Sequence, residues 1–227
     1  MSRVYKIASE SSVIVYFGST IDPRISQEVQ KSYLALKAVQ CASFFEIIPS
    51  YASLMISYDL MHFDFDGVCE KIEKIIHHAE EIAMSEPKII TIPTYYGPEV
   101  GLDLELLAHE KNMSIEEIIA LHSGRVYSVY AIGFAPGFAY LGEIDERLAT
   151  SRLASPRKAV PKGSVSIADR QTAVYPAQSP GGWKILGRTP MVMFDASYEG
   201  LSLFHVGDHV RYESISKEEF LKLGGAL

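Results

Sequence analysis

The sequence has only two cysteines and no apolar run long enough to cross a membrane. Cys41 and Cys69 form no CxxC pair, so reduced thiols, as in the cytosol, are expected rather than a disulfide framework. The most apolar stretch, residues 129–142, is broken by glycines and Pro136 and is shorter than the roughly 20 residues that span a bilayer. The first residues lack the apolar region of a secretory signal. We therefore expect a soluble cytoplasmic protein without a membrane segment.

The sequence also lacks a surplus of basic residues. Its 21 Lys and Arg against 28 Asp and Glu give a formal net charge of -7. A general binder of nucleic acid or of anionic membranes needs a basic surface that releases counterions, so both classes are excluded. The hydrophobic share of 48% and the charged share of 22% are those of a globular chain and exclude disorder.

Three common catalytic signatures are missing as well. The sequence has no G-x-x-x-x-G-K-[ST] phosphate loop, no G-x-S-x-G elbow, and no second histidine after His109-Glu110 for a zinc helix. His77 and His78 are adjacent and point in different directions on a helix, so we predict no metal site. His122 ends a predicted helix, where a cation interacts favourably with the dipole; a place near an active site is the alternative.

Residues 1–86 are predicted to form a small α+β domain. Asp22-Pro23 is typical of a helix start, with an N-cap followed by proline at the first helical position. Strands are predicted over 13–17, 44–48 and 54–58, and a second helix over 66–84. Two helices among several strands favour helices packed on one face of a mostly antiparallel sheet. Pro87 stops the second helix, and we place the domain boundary there.

Residues 87–227 are predicted to form a second domain that is rich in short strands. Strand-like runs cover 88–94, 126–132, 164–168, 172–175, 190–194 and 209–212, and helices cover 103–111, 115–122 and 217–223. Ser114 and Glu117 have the spacing of a capping box, and Ser216 is a suitable cap for the last helix. Glycine and proline between the strands favour a β-barrel or sandwich over a βαβ fold.

The densest motif is Gly-Phe-Ala-Pro-Gly-Phe-Ala-Tyr-Leu-Gly over residues 133–142. Three glycines and a proline argue against a strand interior there, since glycine permits positive φ and proline fixes its neighbours. Two interpretations stay open: a tightly packed loop that closes a barrel, or a rigid aromatic wall for a ligand.

Residues 152–188 carry seven basic side chains and one acid, Asp169. Such a zone in an acidic chain suits an anionic small molecule or an acidic partner surface. The alternative is a solvated face that is neutralised by the acids of residues 99–117. Trp183, the only tryptophan, follows Gly181 and Gly182; it is either core or an indole that a ligand approaches over the glycines.

Several motifs together resemble one bacterial family. They are Gly133-Phe134, Pro136-Gly137-Phe138, Tyr140-Leu141-Gly142, Pro156-Arg157, Pro161 with Gly163-Ser164-Val165, Gln171-Thr172, Tyr175-Pro176, Ser179-Pro180-Gly181-Gly182-Trp183 and Gly187-Arg188-Thr189-Pro190, with Pro49 to Leu54, Tyr58-Asp59, Gly101 and Asp103-Leu104 nearer the N-terminus. Their order resembles the family of the 5-oxoprolinase B subunit, long labelled allophanate hydrolase subunit 1, which also contains the kinase inhibitor KipI. Tyr95 to Glu99 departs from the family, whose members often carry a more glycine-rich turn.

This resemblance implies an α+β fold, with a small N-terminal α+β sandwich domain (1–86) and a cyclophilin-like β-barrel domain (87–227). It implies that the chain is one component, inactive alone, of an ATP-dependent lactam hydrolase that opens 5-oxo-L-proline to L-glutamate. It also implies two partners, a carboxyltransferase-type C subunit and an A subunit. ATP would act elsewhere in the complex, because this chain has no phosphate loop. The alternatives are a KipI-like inhibitor of sensor histidine kinase autophosphorylation and, ranked lower, a carboxyltransferase-related (urea carboxylase or allophanate hydrolase) component; the Met-Lys-Met biotin signature is absent.

The chemistry of individual residues, taken together with this resemblance, indicates which side chains bind the substrate. It does not identify a catalytic residue. Arg157 and Lys162 are expected to hold a substrate carboxylate or a phosphorylated intermediate, and Gln171 and Thr172 to hydrogen-bond the polar ring. Aromatic walls are expected from Phe134, Phe138, Tyr140 and Trp183. The loop framework is expected from Gly133, Pro136, Gly137, Pro161, Pro180, Gly181 and Gly182.

Overall fold

The computed structural model describes residues 3–77, 88–197 and 200–227. The chain divides into two compact units, Met1–Pro87 and Lys88–Leu227. The part of the second predicted helix beyond His77, with His78 and the helix stop before Pro87, lies outside the described residues. No helix within those described ranges is both long enough and apolar enough to cross a bilayer.

The first unit is a four-stranded antiparallel sheet with two helices packed against it. The elements are β1 (Val4–Ser9), β2 (Ser12–Tyr16), α1 (Pro23–Ala38), β3 (Phe44–Pro49), β4 (Ser53–Tyr58) and α2 (Phe65–His77). The strand order is β1-β2-β4-β3. Asp22 caps α1 by accepting a hydrogen bond from the Arg24 N–H, and Pro23 occupies the first turn. The prediction of two helices on a mostly antiparallel sheet is confirmed.

Strand alternation decides which face of this sheet is buried. Val13 and Leu54 are fully buried and pack with Val29 of α1 and Ile72 of α2. Side chains in a strand point alternately to the two faces, so residues between the buried ones, such as Met55, lie on the face away from the helices. The sheet therefore has one face that its own helices do not cover.

The second unit is built from nine strands and three helices among its described residues. The strands are β5 (Ile89–Thr94), β6 (Val126–Ile132), β7 (Ala139–Gly142), β8 (Arg157–Val160), β9 (Ser164–Ala168), β10 (Gln171–Val174), β11 (Ser179–Gly181), β12 (Lys184–Arg188) and β13 (His209–Ser214). The helices are α3 (Leu104–Lys111), α4 (Ile115–Ser123) and α5 (Lys217–Lys222), with a 3-10 turn at Glu146–Leu148. Seven strands form one sheet in the order β12-β9-β10-β7-β6-β13-β5, and β11 pairs with β8.

The two edge strands of the seven-stranded sheet meet and nearly close it into a barrel. The Tyr95 N–H, just after β5, donates to the Arg188 carbonyl in β12, and the Arg188 N–H donates back to the Tyr95 carbonyl, both at 2.9 Å. The interior holds fully buried apolar side chains such as Leu141 and Ile167. Closure removes open sheet edges, and the predicted barrel is confirmed.

Two strand predictions in this unit are wrong. Residues 190–194 form no strand; Phe194 makes a single bridge with Ser202, because this segment turns back on the residues after it, with the Leu203 N–H donating to the Met193 carbonyl. The argument against a strand in residues 133–142 fails for Ala139–Gly142, which pairs with both β6 and β10. Pairing on both sides stabilises an extended conformation despite the glycine at its end.

Candidate functional site

The four predicted aromatic wall residues lie together around Phe138. Its ring centroid lies 5.2 Å from that of Phe134, 4.9 Å from Tyr140 and 5.9 Å from Trp183, all in T-shaped contacts. Sequence reasoning missed a fifth member, Tyr175, at 5.4 Å; its only signal was the Tyr175-Pro176 pair at the end of a predicted strand. Phe138 and Trp183 are buried, whereas Phe134 is 65% exposed. The cluster is therefore local core with one exposed aromatic edge.

The loop before β7 holds this exposed edge in place. Phe134 has φ of 72° and Gly137 has φ of 81°, both in the left-handed region that favours glycine. A Cβ on Gly137 would lie 2.7 Å from the Phe194 Cβ, so the position requires glycine for space as well as for backbone conformation. A bulky residue at positive φ is uncommon, and such strain often occurs at binding surfaces.

Arg157, a predicted anion-binding residue, forms an ion pair with a buried carboxylate. Its two terminal nitrogens donate to the Asp103 oxygens at 2.9 and 2.7 Å, and the Ile185 N–H donates to the same carboxylate at 2.7 Å. The Asp103 side chain is 3% exposed and the Arg157 side chain 27%. The pair joins the start of α3 to β8 and β12, and part of the guanidinium stays accessible to a ligand.

Glu110, which like Asp103 belongs to the acidic residues 99–117, neutralises Lys184. This lysine is buried, and its Nζ donates to Glu110 and, at 2.8 Å, to the Thr150 hydroxyl. For Arg157 and Lys184 the neutralisation by acids of residues 99–117 is confirmed, but Lys184 and Asp103 are buried, so the prediction of a solvated face is wrong for this part of the basic zone. Arg152 lies over the Trp183 ring at 5.9 Å from its centroid, so this cation faces the aromatic cluster.

A buried polar network centred on His122 is a feature that sequence reasoning missed. The ring nitrogens hydrogen-bond to the Tyr96 hydroxyl at 2.8 Å and to the Thr172 hydroxyl at 2.9 Å. Thr172 donates its single proton to the Ser166 carbonyl, so we assign the imidazole proton to Nε2. Burial lowers the pKa of His122 to about 3. The prediction of a helix-end cation is wrong, because complete burial keeps the ring neutral.

The remaining predicted residues are not gathered at one point. Arg157 begins β8, whereas Lys162 lies in the turn that follows the end of this strand. Thr172 is fully buried within the His122 network, whereas Gln171 is half-buried opposite Gly142. Within the described ranges, no group of three His, Cys, Asp or Glu side chains is placed to hold a metal.

Two cavities have none of the predicted site residues in their lining. One of about 610 Å³ lies in the second unit beside β5, with Asp195 and Asp208 in its lining. The other, of about 830 Å³, lies in the first unit, with Lys6 and Tyr16 in its lining. Arg157 and the aromatic cluster line neither of these two cavities. The predicted site is thus a polar and aromatic surface near the α3, β8 and β12 junction.

Comparison with known proteins defines the class to which this fold belongs. The family model described as carboxyltransferase domain, subdomain C and D, matches residues 3–204. The crystal structure of TTHA0988 superimposes with a TM-score of 0.80 at 28% identity, covering 90% of this chain and 40% of that chain. This protein is thus of the carboxyltransferase-domain class, and it spans less than half the length of that structural relative.

Curated relatives narrow the assignment further. The B subunit of 5-oxoprolinase from Bacillus subtilis (strain 168) is 34% identical over 221 residues, which cover 93% of this chain and 92% of that protein. The B subunit of 5-oxoprolinase from Escherichia coli O157:H7 is 34% identical over 215 residues, which cover 93% of this chain and 95% of that protein. The chain belongs to the family of the 5-oxoprolinase B subunit.

Proposed function

We propose that this chain is the B component of an ATP-dependent complex that opens 5-oxo-L-proline to L-glutamate. The observation that carries the proposal is the near full-length match to relatives that are named as the B subunit of 5-oxoprolinase. The proposal includes two partners, the C and A subunits of that enzyme, and no turnover by this chain alone. It also assigns residues 1–86 and 87–227 to separate domains.

The chemistry explains why such a complex uses ATP. Resonance protects the carbonyl of a five-membered lactam from attack by water, so activation of that carbonyl is what ATP supplies. The sequence contains no G-x-x-x-x-G-K-[ST] phosphate loop that would hold a triphosphate. We therefore propose that one of the partners activates the carbonyl.

The role proposed for this chain is to hold the substrate at a surface that a partner completes. The accessible part of the Arg157 guanidinium is positioned to receive the substrate carboxylate, since Asp103 fixes its plane. In the proposal the exposed Phe134 edge offers an apolar contact, and Lys162 and Gln171 remain candidates for polar contacts. The Thr172 hydroxyl serves the His122 network instead.

Reconstitution tests this function. The purified chain is mixed with the C and A subunits, Mg-ATP and 5-oxo-L-proline, and L-glutamate is measured. Glutamate is expected only when this chain and ATP are both present. Arg157→Ala should sharply reduce turnover, with assembly checked by size-exclusion chromatography. Glutamate formed without this chain, or none from the complete mixture, contradicts the proposal; unchanged turnover removes Arg157 from it.

The other two functions have less support. The relatives compared above are named for 5-oxoprolinase, which does not favour a kinase inhibitor. The family name includes carboxyltransferase, but the sequence lacks the Met-Lys-Met motif that would carry biotin on this chain. Inhibition of a sensor kinase, together with no glutamate from the complete mixture, would reverse this ranking.

A further inference from the structure

We propose that the cavity in the first unit binds a small organic monocarboxylate, through lining residues that do not include Arg157. Its volume of about 830 Å³ is within the range of small-molecule sites. All of its lining residues belong to Met1–Pro87, so the site is built by one unit. The inference does not rest on the proposed enzymatic function.

The floor of the cavity is the sheet face that α1 and α2 leave uncovered. Val4 pairs with Tyr16 across β1 and β2, and Tyr16 pairs with Ser53 across β2 and β4. These three side chains therefore form a row across the end of the sheet. Lys6, two residues beyond Val4 on the same face, places its ammonium 5.6 Å from the centroid of the Tyr16 ring.

The walls are two loops that hydrogen bonds hold together. The Phe17 N–H donates to the Ala52 carbonyl at 2.8 Å, which ties the segment after β2 to the β3–β4 turn. That turn is closed by the Ser50 N–H donating to the Ser53 carbonyl at 2.9 Å. The N–H groups of residues 19–21 have no main-chain acceptor among the described residues, so they remain available as donors along one wall.

The charge of the lining selects the ligand. The lining contains one cation, Lys6, and six hydroxyl side chains, and none of its described residues carries a carboxylate. Lys6 forms no ion pair with any residue in the described part of the chain. In a protein of net charge -7, an acid-free concavity with a single ammonium fits a single negative charge. The cavity beside β5 contrasts with it, because two aspartates line that one.

The shape of the lining indicates a compact organic acid rather than a bare ion. The carboxylate would lie against the Lys6 ammonium and nearby hydroxyls, where charge-assisted hydrogen bonds are strongest. Val4, Ala52 and the Tyr16 ring offer apolar surface for a ring or branched body next to it. A molecule that has the same body without the charge should therefore bind much less tightly.

Calorimetric titration of the full chain tests the site with three probes. Cyclopentanecarboxylate and 5-oxo-L-proline carry a carboxylate on a five-membered ring, and 2-pyrrolidinone is a neutral ring of the same size. We expect saturable binding of at least one carboxylate and none of 2-pyrrolidinone at the same concentrations. In 1H–15N spectra the amides of residues 18–21 and 50–53 should shift. Binding of all three probes with equal affinity, or of none, overturns the inference.

Variants locate the binding at Lys6. Lys6→Gln should raise the Kd about tenfold or more, because it removes a charge-assisted contact. Lys6→Arg keeps the positive charge and should retain binding. Lys37→Gln, an exposed lysine of α1 in the same unit, controls for net charge. Unchanged Kd in Lys6→Gln contradicts the proposal even where binding is seen. Binding is measured without the other components of the complex. Absence of binding would therefore not contradict the proposed turnover, and absence of turnover would not contradict the proposed binding.

Discussion

The Asp103 carboxylate accepts hydrogen bonds from both terminal nitrogens of Arg157, at 2.7 and 2.9 Å. Asp103 begins α3 and Arg157 begins β8, and 54 residues separate them in the chain. The same carboxylate accepts from the Ile185 N–H, so it joins three elements at one point. The candidate binding cation is thus also a structural cation, and its two roles need separate measurements.

Removal of one member of this pair should destabilise the protein. Arg157→Ala leaves the Asp103 carboxylate buried without its cation, and we expect the free energy of unfolding to fall by about 2–3 kcal/mol, less than for a fully buried pair because the guanidinium is partly exposed. Asp103→Ala in the Arg157→Ala background removes the unpaired carboxylate but leaves the Ile185 N–H without its acceptor, so we expect the double variant to lose less than the sum of the two single losses. Urea unfolding of the four proteins in this double-mutant cycle gives the coupling.

Arg147→Ala is the matched control, since Arg147 is 62% exposed and pairs with Asp145. Its effect on the free energy of unfolding should be small, because exposed ion pairs contribute little to stability. Additive losses in the Asp103 and Arg157 cycle would show that the pair does not stabilise the α3, β8 and β12 junction. The turnover of Arg157→Ala is then compared at a temperature where the variant remains folded.

Gly137 should tolerate substitution far less than its neighbour Gly133. Gly137→Ala places a Cβ at φ of 81° and 2.7 Å from the Phe194 Cβ, so we expect a loss of about 1–3 kcal/mol in unfolding free energy. Gly133→Ala meets no atom within 4 Å and should change stability by about 0.5 kcal/mol or less. Urea unfolding of both variants checks this; equal losses would mean that the loop before β7 adapts to a side chain at Gly137.

Local signals predicted the parts of the fold that depend on neighbouring residues. Asp22 and Pro23 start α1, and Ser114 with Glu117 makes both hydrogen bonds of a capping box on α4. The residues of each capping motif lie within one helical turn of each other, so both partners of the hydrogen bond can be recognised from the sequence alone. Strand β6 was predicted with the bounds that the structure has, since its β-branched and aromatic residues lie between punctuating glycines.

Features that depend on distant partners could not be predicted in this way. All five residues of β12 are buried, so the strand shows no polar alternation, and β7 is extended because β6 and β10 pair with it. The neighbours of His122 in the network come from positions 96 and 172, so no spacing near residue 122 indicates its burial. Four of the five members of the aromatic cluster were predicted, because three of them lie within one short motif, 133–142, whereas Tyr175 was missed.

The buried His122 should make stability depend on pH. The folded-state pKa is about 3, below the ordinary value of 6.5, so between these values the unfolded chain binds a proton that the folded chain does not. Stability is therefore full above about pH 6.5 and falls as the pH decreases towards 3, by up to about 1.4 kcal/mol per pH unit from this group. Urea unfolding between pH 7.5 and 5 measures the slope.

His122→Gln should reduce that slope, although it lowers stability at pH 7.5 by disturbing the network. His205→Gln, whose side chain is 71% exposed, is measured in parallel as a control for the loss of a histidine. A slope in His122→Gln equal to that of the unaltered chain would show that His122 takes up a proton in the folded state, and the neutral assignment would then be wrong.

Phe134, proposed above as an apolar contact at the substrate surface, should also contribute more to assembly with the proposed C subunit than to the stability of this chain. Its ring is 65% exposed while its backbone is in the left-handed region, and exposed aromatic side chains are enriched at protein interfaces. Phe134→Ser is expected to weaken binding of this partner about tenfold or more with little change in unfolding free energy. Phe45→Ser, in β3 and 67% exposed, is the matched control and should leave that affinity unchanged. Calorimetry with the purified partner measures both, and equal affinities for the two variants would exclude the Phe134 edge from the interface.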